Sequence, residues 1–228
     1  MKFNNTITNE TRDVLYGMQI NQELRSVYTF QLLNTVLQNH DALVTILNSS
    51  IQKPAYILLR TQFESLVKGM WLHLCAKDDE QIVKFLNNKD KIQSIYSCNS
   101  CGSESSQSRE RSLQNRIKEI GTKRKDVHKC LSQFKSAYWQ AFNAYTHAGL
   151  TFLDKGIDGE RDMVSDQISE CQAAELYSLS CKFTILAISE IGNCFDNDIL
   201  YQLRHMCKDT FDPYLKDFNS SNVTAFQL

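Results

Sequence analysis

The chain is poor in the residues that break regular structure: its 228 positions hold only eight glycines and two prolines. A many-stranded β protein needs turn formers at roughly ten-residue intervals, and that supply is missing. Charge of one sign is missing as well. Lys and Arg number 25 against 26 for Asp and Glu, a net of −1, which excludes coating of nucleic acid or membrane by bulk electrostatics but leaves room for a local basic patch. Long hydrophobic runs are absent too. The most apolar segment, AYILLRTQFESLVKGMWLHLCA, is interrupted by Arg60, Glu64 and Lys68, short of the roughly 20 unbroken apolar residues that span a bilayer. No glycine-rich phosphate loop occurs, which excludes an ATPase of the P-loop kind.

What is present is a chain 42% apolar and 22% charged, enough for one domain with a sizeable core. Its first residues, MKFNNTITNETRD, carry no apolar stretch or small-residue cleavage site, so a cytoplasmic protein is expected. The eight cysteines, at 75, 98, 101, 130, 171, 181, 194 and 207, then read as reduced and mostly buried thiols.

Apolar residues recur at helical spacing from Thr8 to Ser50, as one helix or two in line. Pro54 stands where a new helix begins, running to about Ala76. Asp78, with Gln81 three residues on, starts a short helix. Residues 98–108 hold five serines and a glycine and read as a loop. From Arg109 to Lys129 eight basic residues face three acidic ones. A helix resumes near Asp126 or Lys129 and ends at Gly149, a long apolar helix covers about 166–194, and another covers about 197–211. The spacing therefore predicts an all-α helical bundle with a loop-rich, locally basic middle. It forms a single domain over 1–228, with an insertion at about 96–128 and a loose tail at 214–228. No alternating strand pattern is evident.

On a wheel of about 100° per residue, Arg60 and Glu64 fall among Tyr56, Ile57, Val67, Trp71, Leu74 and Cys75. Thr61, Gln62, Ser65, Lys68 and Gly69 take the opposite, polar arc. An Arg and a Glu on an apolar face read either as a buried pair that fixes helix register or as a polar cleft where the Arg meets an anion. A second helix carries the apolar stripe Leu131, Phe134, Tyr138, Phe142 and Tyr145. Beside it a polar stripe runs Lys129, Ser136, Gln140, Asn143 and His147, and His147 is the group suited to proton transfer near neutral pH. His40 and His205 read as helix-surface residues, and His73 lies at the margin of its apolar arc.

Together, LLRTQFESLVKGMWL and NAYTHAGL resemble an uncharacterised family of bacterial helical proteins through Arg60, Glu64, Gly69, Trp71, Tyr145, His147 and Gly149. More distantly, the layout is similar to the HEPN superfamily, small and often dimeric bundles, many of them metal-independent endoribonucleases of toxin–antitoxin or antiviral systems. Those nucleases place Arg and His on one helix, whereas here Arg60 and His147 come from different helices. The resemblance implies a cytoplasmic effector or toxin that cuts RNA, forms a homodimer or higher homo-oligomer, and answers to an antitoxin or trigger protein, with no membrane partner. In it, His147 acts as general base or acid and Arg60 holds the phosphate. Glu64 orients them, Asn143 and Tyr145 supply neutral hydrogen bonds, and Arg116, Lys123, Arg124 and Lys125 meet RNA phosphates. A non-catalytic interaction module and a regulatory nucleotide-binding bundle are the alternatives. No cofactor is required, although Cys98 and Cys101 have the spacing of a zinc knuckle, with His128 and Cys130 as the nearest second pair and His40, His73 or Cys75 further off.

Overall fold

The computed structural model describes residues 2–17, 19–20, 22–87, 91–97, 104–110, 112–146, 157–158, 163–164 and 167–194. Among these it is an all-α bundle of seven helices: α1 (Thr6–Leu15), α2 (Leu24–Leu47), α3 (Ala55–Cys75), α4 (Asp79–Leu86), α5 (Leu113–Lys123), α6 (Lys125–Thr146) and α7 (Glu170–Cys194). The stretch expected as one or two helices is thus two, separated by a turn in which Gly17 has φ +78°. The helix expected over about 197–211 and the tail at 214–228 lie outside the described residues.

Helix starts follow local chemistry. Pro54 immediately precedes α3. Asp78 accepts a hydrogen bond from the Gln81 backbone N–H at 2.8 Å, and Gln81 in turn accepts from the Lys77 N–H. Before α7, Ser169 and Gln172 close a reciprocal box, Gln172 N–H to Ser169 Oγ at 3.2 Å and Ser169 N–H to Gln172 Oε1 at 3.0 Å. Such caps satisfy donors that a helix leaves unpaired.

Two features depart from the sequence reading. Strands β1 (Lys91–Ser97) and β2 (Glu104–Glu110) pair antiparallel, Lys91 opposite Glu110 and Ser97 opposite Glu104, and a smaller hairpin joins β3 (Ile157–Asp158) to β4 (Met163–Val164). Serine-rich β2 has no strand pattern of its own; backbone pairing with β1 recruits it. Helix α5, absent from the sequence reading, is not part of an insertion: Ile117 and Ile120 belong to the common core, as does Val127. Its start is marked by Ser112, whose Oγ accepts from the Asn115 N–H.

Helix α3 is the centre of the bundle and packs on α2, α5, α6 and α7. Helices α2 and α3 run antiparallel, since Leu33 meets Gly69 while the Val36 carbonyl meets Gln62. Encirclement overturns the polar arc expected on α3. Gln62, Ser65 and Gly69 are buried, whereas Ile57, expected inside, is 41% exposed.

A set of buried polar groups on α2, α3 and α7 is hydrogen-bonded together. His40 Nδ1 lies 2.8 Å from Ser180 Oγ, Ser180 donates to Gln62 Oε1 at 2.8 Å, and Gln62 Nε2 is shared among the Val36 carbonyl, the Ser180 carbonyl and Thr184 Oγ1. His40 is therefore a core residue, not the surface residue expected. Beside this network Phe63, Phe134 and Phe183 fill the centre, with Phe63–Phe134 centroids 4.4 Å apart and Phe134–Phe183 edge-to-face at 4.6 Å.

Gly69 permits a close α2–α3 approach. A Cβ there would stand 2.8 Å from Leu33 Cδ2 and 3.3 Å from Leu32 Cβ, and Leu33 is fully enclosed. Gly69→Ala is expected to destabilise the fold by about 1–2 kcal/mol, because overpacking outweighs the gain of roughly 0.5–1 kcal/mol from better helix propensity. Chemical denaturation should show a lower midpoint at unchanged slope.

Candidate functional site

Four of the expected site residues, Arg60, Glu64, Asn143 and Tyr145, lie on α3 and α6, which pack on each other. Arg60 Nε donates to Glu64 Oε1 at 3.0 Å, and Lys68 Nζ stands 3.7 Å from Glu64 Oε2. The Arg60 guanidinium lies over Trp139 of α6, 5.1 Å from the ring centroid. With side-chain exposures of 17% and 29% for Arg60 and Glu64, the pair is neither sealed in the core nor fully solvated. Arg60 has its geometry fixed on one side by a carboxylate and on the other by an indole.

One turn earlier on α3, Tyr56 stacks on Tyr145 of α6 at 4.0 Å with planes 5° apart. Tyr145 is buried, and burial holds its phenol above the ordinary range. It is a ring of the seam more than a donor facing solvent. Tyr138 donates to Glu175 Oε1 at 2.7 Å, and burial raises the Glu175 carboxyl. Asn143 is half-buried one turn after Trp139. The apolar stripe of α6 is as expected, with Leu131, Phe134, Tyr138, Phe142 and Tyr145 all inside. His147 and Gly149 lie outside the described residues; His147 directly follows Thr146, the last residue of α6. Arg60, Glu64, Asn143 and Tyr145 thus share one seam.

The expected phosphate-contacting cations do not form one surface with it. Arg116 is 5% exposed, with its guanidinium 4.6 Å from the Trp71 centroid and 4.8 Å from that of Phe85. An arginine sandwiched between rings is a packing element, and Trp71 Nε1 completes the layer by donating to Glu119 Oε2 at 2.7 Å. Arg124 is tied to Asp126 at 3.0 Å and to Glu190 at 3.9 Å. Only Lys123 and Lys125 of the four are exposed. Trp71, where α5 docks, lies eleven residues beyond Arg60, about 16 Å along the helix axis.

The zinc set is not assembled by the described part. Cys98 and Cys101 lie outside it. His128 and Cys130 are two apart on α6, a spacing that turns side chains away from one another. His128 Nε2 instead meets Ser132 Oγ at 3.2 Å, and burial pushes the Cys130 thiol up to about 12. No group of three or more His, Cys, Asp or Glu among the described residues is placed to hold a metal. Among the five described cysteines only Cys181 is buried, and Cys171 is exposed.

Sequence reasoning missed two partners. Trp139 stands off the α6 stripe, and only its proximity to Arg60 reveals its part. Glu190 interrupts the apolar run FTILAISEIG, and a lone acid in such a run points to a buried pair; its partner is His73.

Fold and seam define a helical bundle in which an Arg–Glu pair on the central helix leans on an aromatic helix. The model of a family of unknown function, DUF6988, matches residues 33–192, and the chain belongs to that family. No curated protein and no solved structure matches it significantly. Among the described residues, no helix is long and apolar enough to cross a membrane.

Proposed function

We propose that this bundle is an HEPN-like effector or toxin that cleaves RNA without a metal ion, in antiviral defence or a toxin–antitoxin pair. One observation carries the reading: Arg60 of α3 is held against α6 by Trp139 and aligned by Glu64, so a fixed fork of donors stands at Trp139, which precedes His147 by eight residues in the sequence. In the proposed reaction His147 takes the proton of a ribose 2′-hydroxyl and that oxygen attacks the adjacent phosphorus. Arg60 stabilises the charge that builds on the non-bridging oxygens, and the 5′-oxygen leaves with a proton, giving a 2′,3′-cyclic phosphate. Lys123 and Lys125 are available to more distant phosphates.

Purified protein should cut single-stranded RNA in the presence of a chelator. Arg60→Ala and His147→Ala should each slow cleavage by at least about 100-fold while the helical signal is retained. On induced expression in bacteria, growth arrest and RNA fragmentation should disappear together in His147→Ala at equal protein level. Cleavage that survives both substitutions, or intact RNA with the wild type, overturns the reading.

The Glu64 carboxylate, bridged by Arg60 and by Lys68, favours a second reading, a non-catalytic interaction module in which the pair holds the α3–α6 seam. In that case Arg60→Ala lowers the melting temperature and His147→Ala changes nothing.

A further inference from the structure

We propose, on the basis of the ribonuclease reading above, that the α3–α6 seam holds its RNA as a single strand. One base lies against the indole of Trp139 and neighbouring phosphates meet Lys68 and Lys135, which leaves Arg60 to the phosphate that reacts. The two helices are short of acid. Helix α3 has one carboxylate, Glu64, and α6 has one, Asp126, against the cations Arg60, Lys68, Lys125, Lys129 and Lys135. Asp126 is engaged by Arg124 at 3.0 Å, at the start of α6. Glu64 is therefore the carboxylate that answers the cations of the seam.

Helix pairing brings those cations together. Tyr56 stacks on Tyr145, Phe63 lies against Phe134, and Arg60 sits over Trp139, so α3 and α6 run antiparallel. Lys135 precedes Trp139 by one turn and shares its face, which sets it level with Glu64 and Lys68. Glu64 is already shared, with Arg60 Nε at 3.0 Å and Lys68 Nζ at 3.7 Å. Lys135 adds a third cation to that one carboxylate, so the stretch from Arg60 to Lys68, about 12 Å along the axis, keeps an excess of positive charge. Lys68 is 40% exposed and able to reach a phosphate.

The aromatic partner is placed for a base. Trp139 is partly exposed, whereas the chain's other tryptophan, Trp71, is fully enclosed. An indole braced by a guanidinium offers a π surface to any base, and ammonium groups alongside meet phosphates without reading sequence, the combination that holds unpaired strands. A duplex keeps its bases stacked away from such a ring.

Binding is read here without cleavage. The full chain is titrated with a short 2′-O-methyl oligouridylate, which lacks the free hydroxyl that the reaction requires, and tryptophan emission and the anisotropy of a labelled strand are followed at several salt concentrations. Emission should be quenched saturably, through Trp139. Trp139→Leu should weaken binding by at least about fivefold. Lys68→Gln and Lys135→Gln should each weaken it and lower the slope of log affinity against log salt by about 0.7, while Lys84→Gln on α4 should change neither. These effects sustain the site even where the wild type leaves ordinary RNA uncut, a result that overturns cleavage alone. Unquenched emission in the wild type, or unchanged salt slopes in both folded lysine variants, overturns this path of the strand whether or not RNA is cut. Equal quenching by inorganic polyphosphate overturns the base contact.

Discussion

Glu190→Ala should be among the most damaging single substitutions in this protein, costing about 3 kcal/mol of stability at neutral pH. Breaking a buried ion pair by removing one member is worth roughly 3–5 kcal/mol, because the other member stays behind uncompensated. Here the lower end applies. His73 is 24% exposed and can shed its proton when the carboxylate is gone, while Arg124 keeps Asp126. Glu190→Gln, which preserves shape and an acceptor, should cost less. Urea titration of the three proteins measures both effects. The pH dependence carries a second signature. His73 is raised from 6.5 to about 10 in the fold, by Cys194 first and by Glu190, so the stability it contributes is complete below pH 6.5 and is lost as pH rises toward 10. In Glu190→Gln that alkaline decline should shrink.

His40 sets the acid limit. Ser180 gives its proton to Gln62 Oε1, so Ser180 Oγ receives one from His40 Nδ1, and the imidazole is neutral with its lone pair on Nε2. That nitrogen is buried with no hydrogen-bond partner. Protonating it would place a charged N–H against a wall without acceptors. Burial accordingly holds His40 down from 6.5 to about 4, with Asp41 opposing and Arg12 adding slightly. A depressed imidazole contributes stability that is present above pH 6.5 and disappears as pH falls to 4. Two and a half pH units correspond to about 3 kcal/mol. His40→Asn, whose amide can replace Nδ1, should lower stability at pH 7 but flatten this acid slope. Persistence of the full slope in His40→Asn would place the acid sensitivity elsewhere.

The helices were legible where the sequence carries period and punctuation together: Pro54 before α3, Asp78–Gln81 before α4, and the α6 stripe from Leu131 to Tyr145. Helix α5 was hidden because its charge dominated the reading, and the burial of Arg116 depends on Trp71 and Phe85, which are remote in sequence. The wheel for α3 assumed one wet face, and a helix ringed by four others has almost none. For that reason Gln62 looked like a surface residue and is a core one. The Arg60–Glu64 pairing was readable from spacing alone, whereas its seat on Trp139 required the fold. The His73–Glu190 pair could have been suspected from the acid stranded in an apolar helix, but which cation answers it is decided by tertiary packing.

The knot around Gln62 has a consequence for how the chain comes into being. Its partners on α2 are synthesised before it, but Ser180 and Thr184 emerge more than a hundred residues later. A nascent chain that has reached the end of α6 can lay α2, α3, α5 and α6 together, yet the amide of Gln62 and the imidazole of His40 then have only water in place of α7. Completion of the last long helix is what dries the interior. A polypeptide released before Glu170 should remain swollen and readily proteolysed, so the α3–α6 seam reaches its final rigidity only once the full length of α7 has been made.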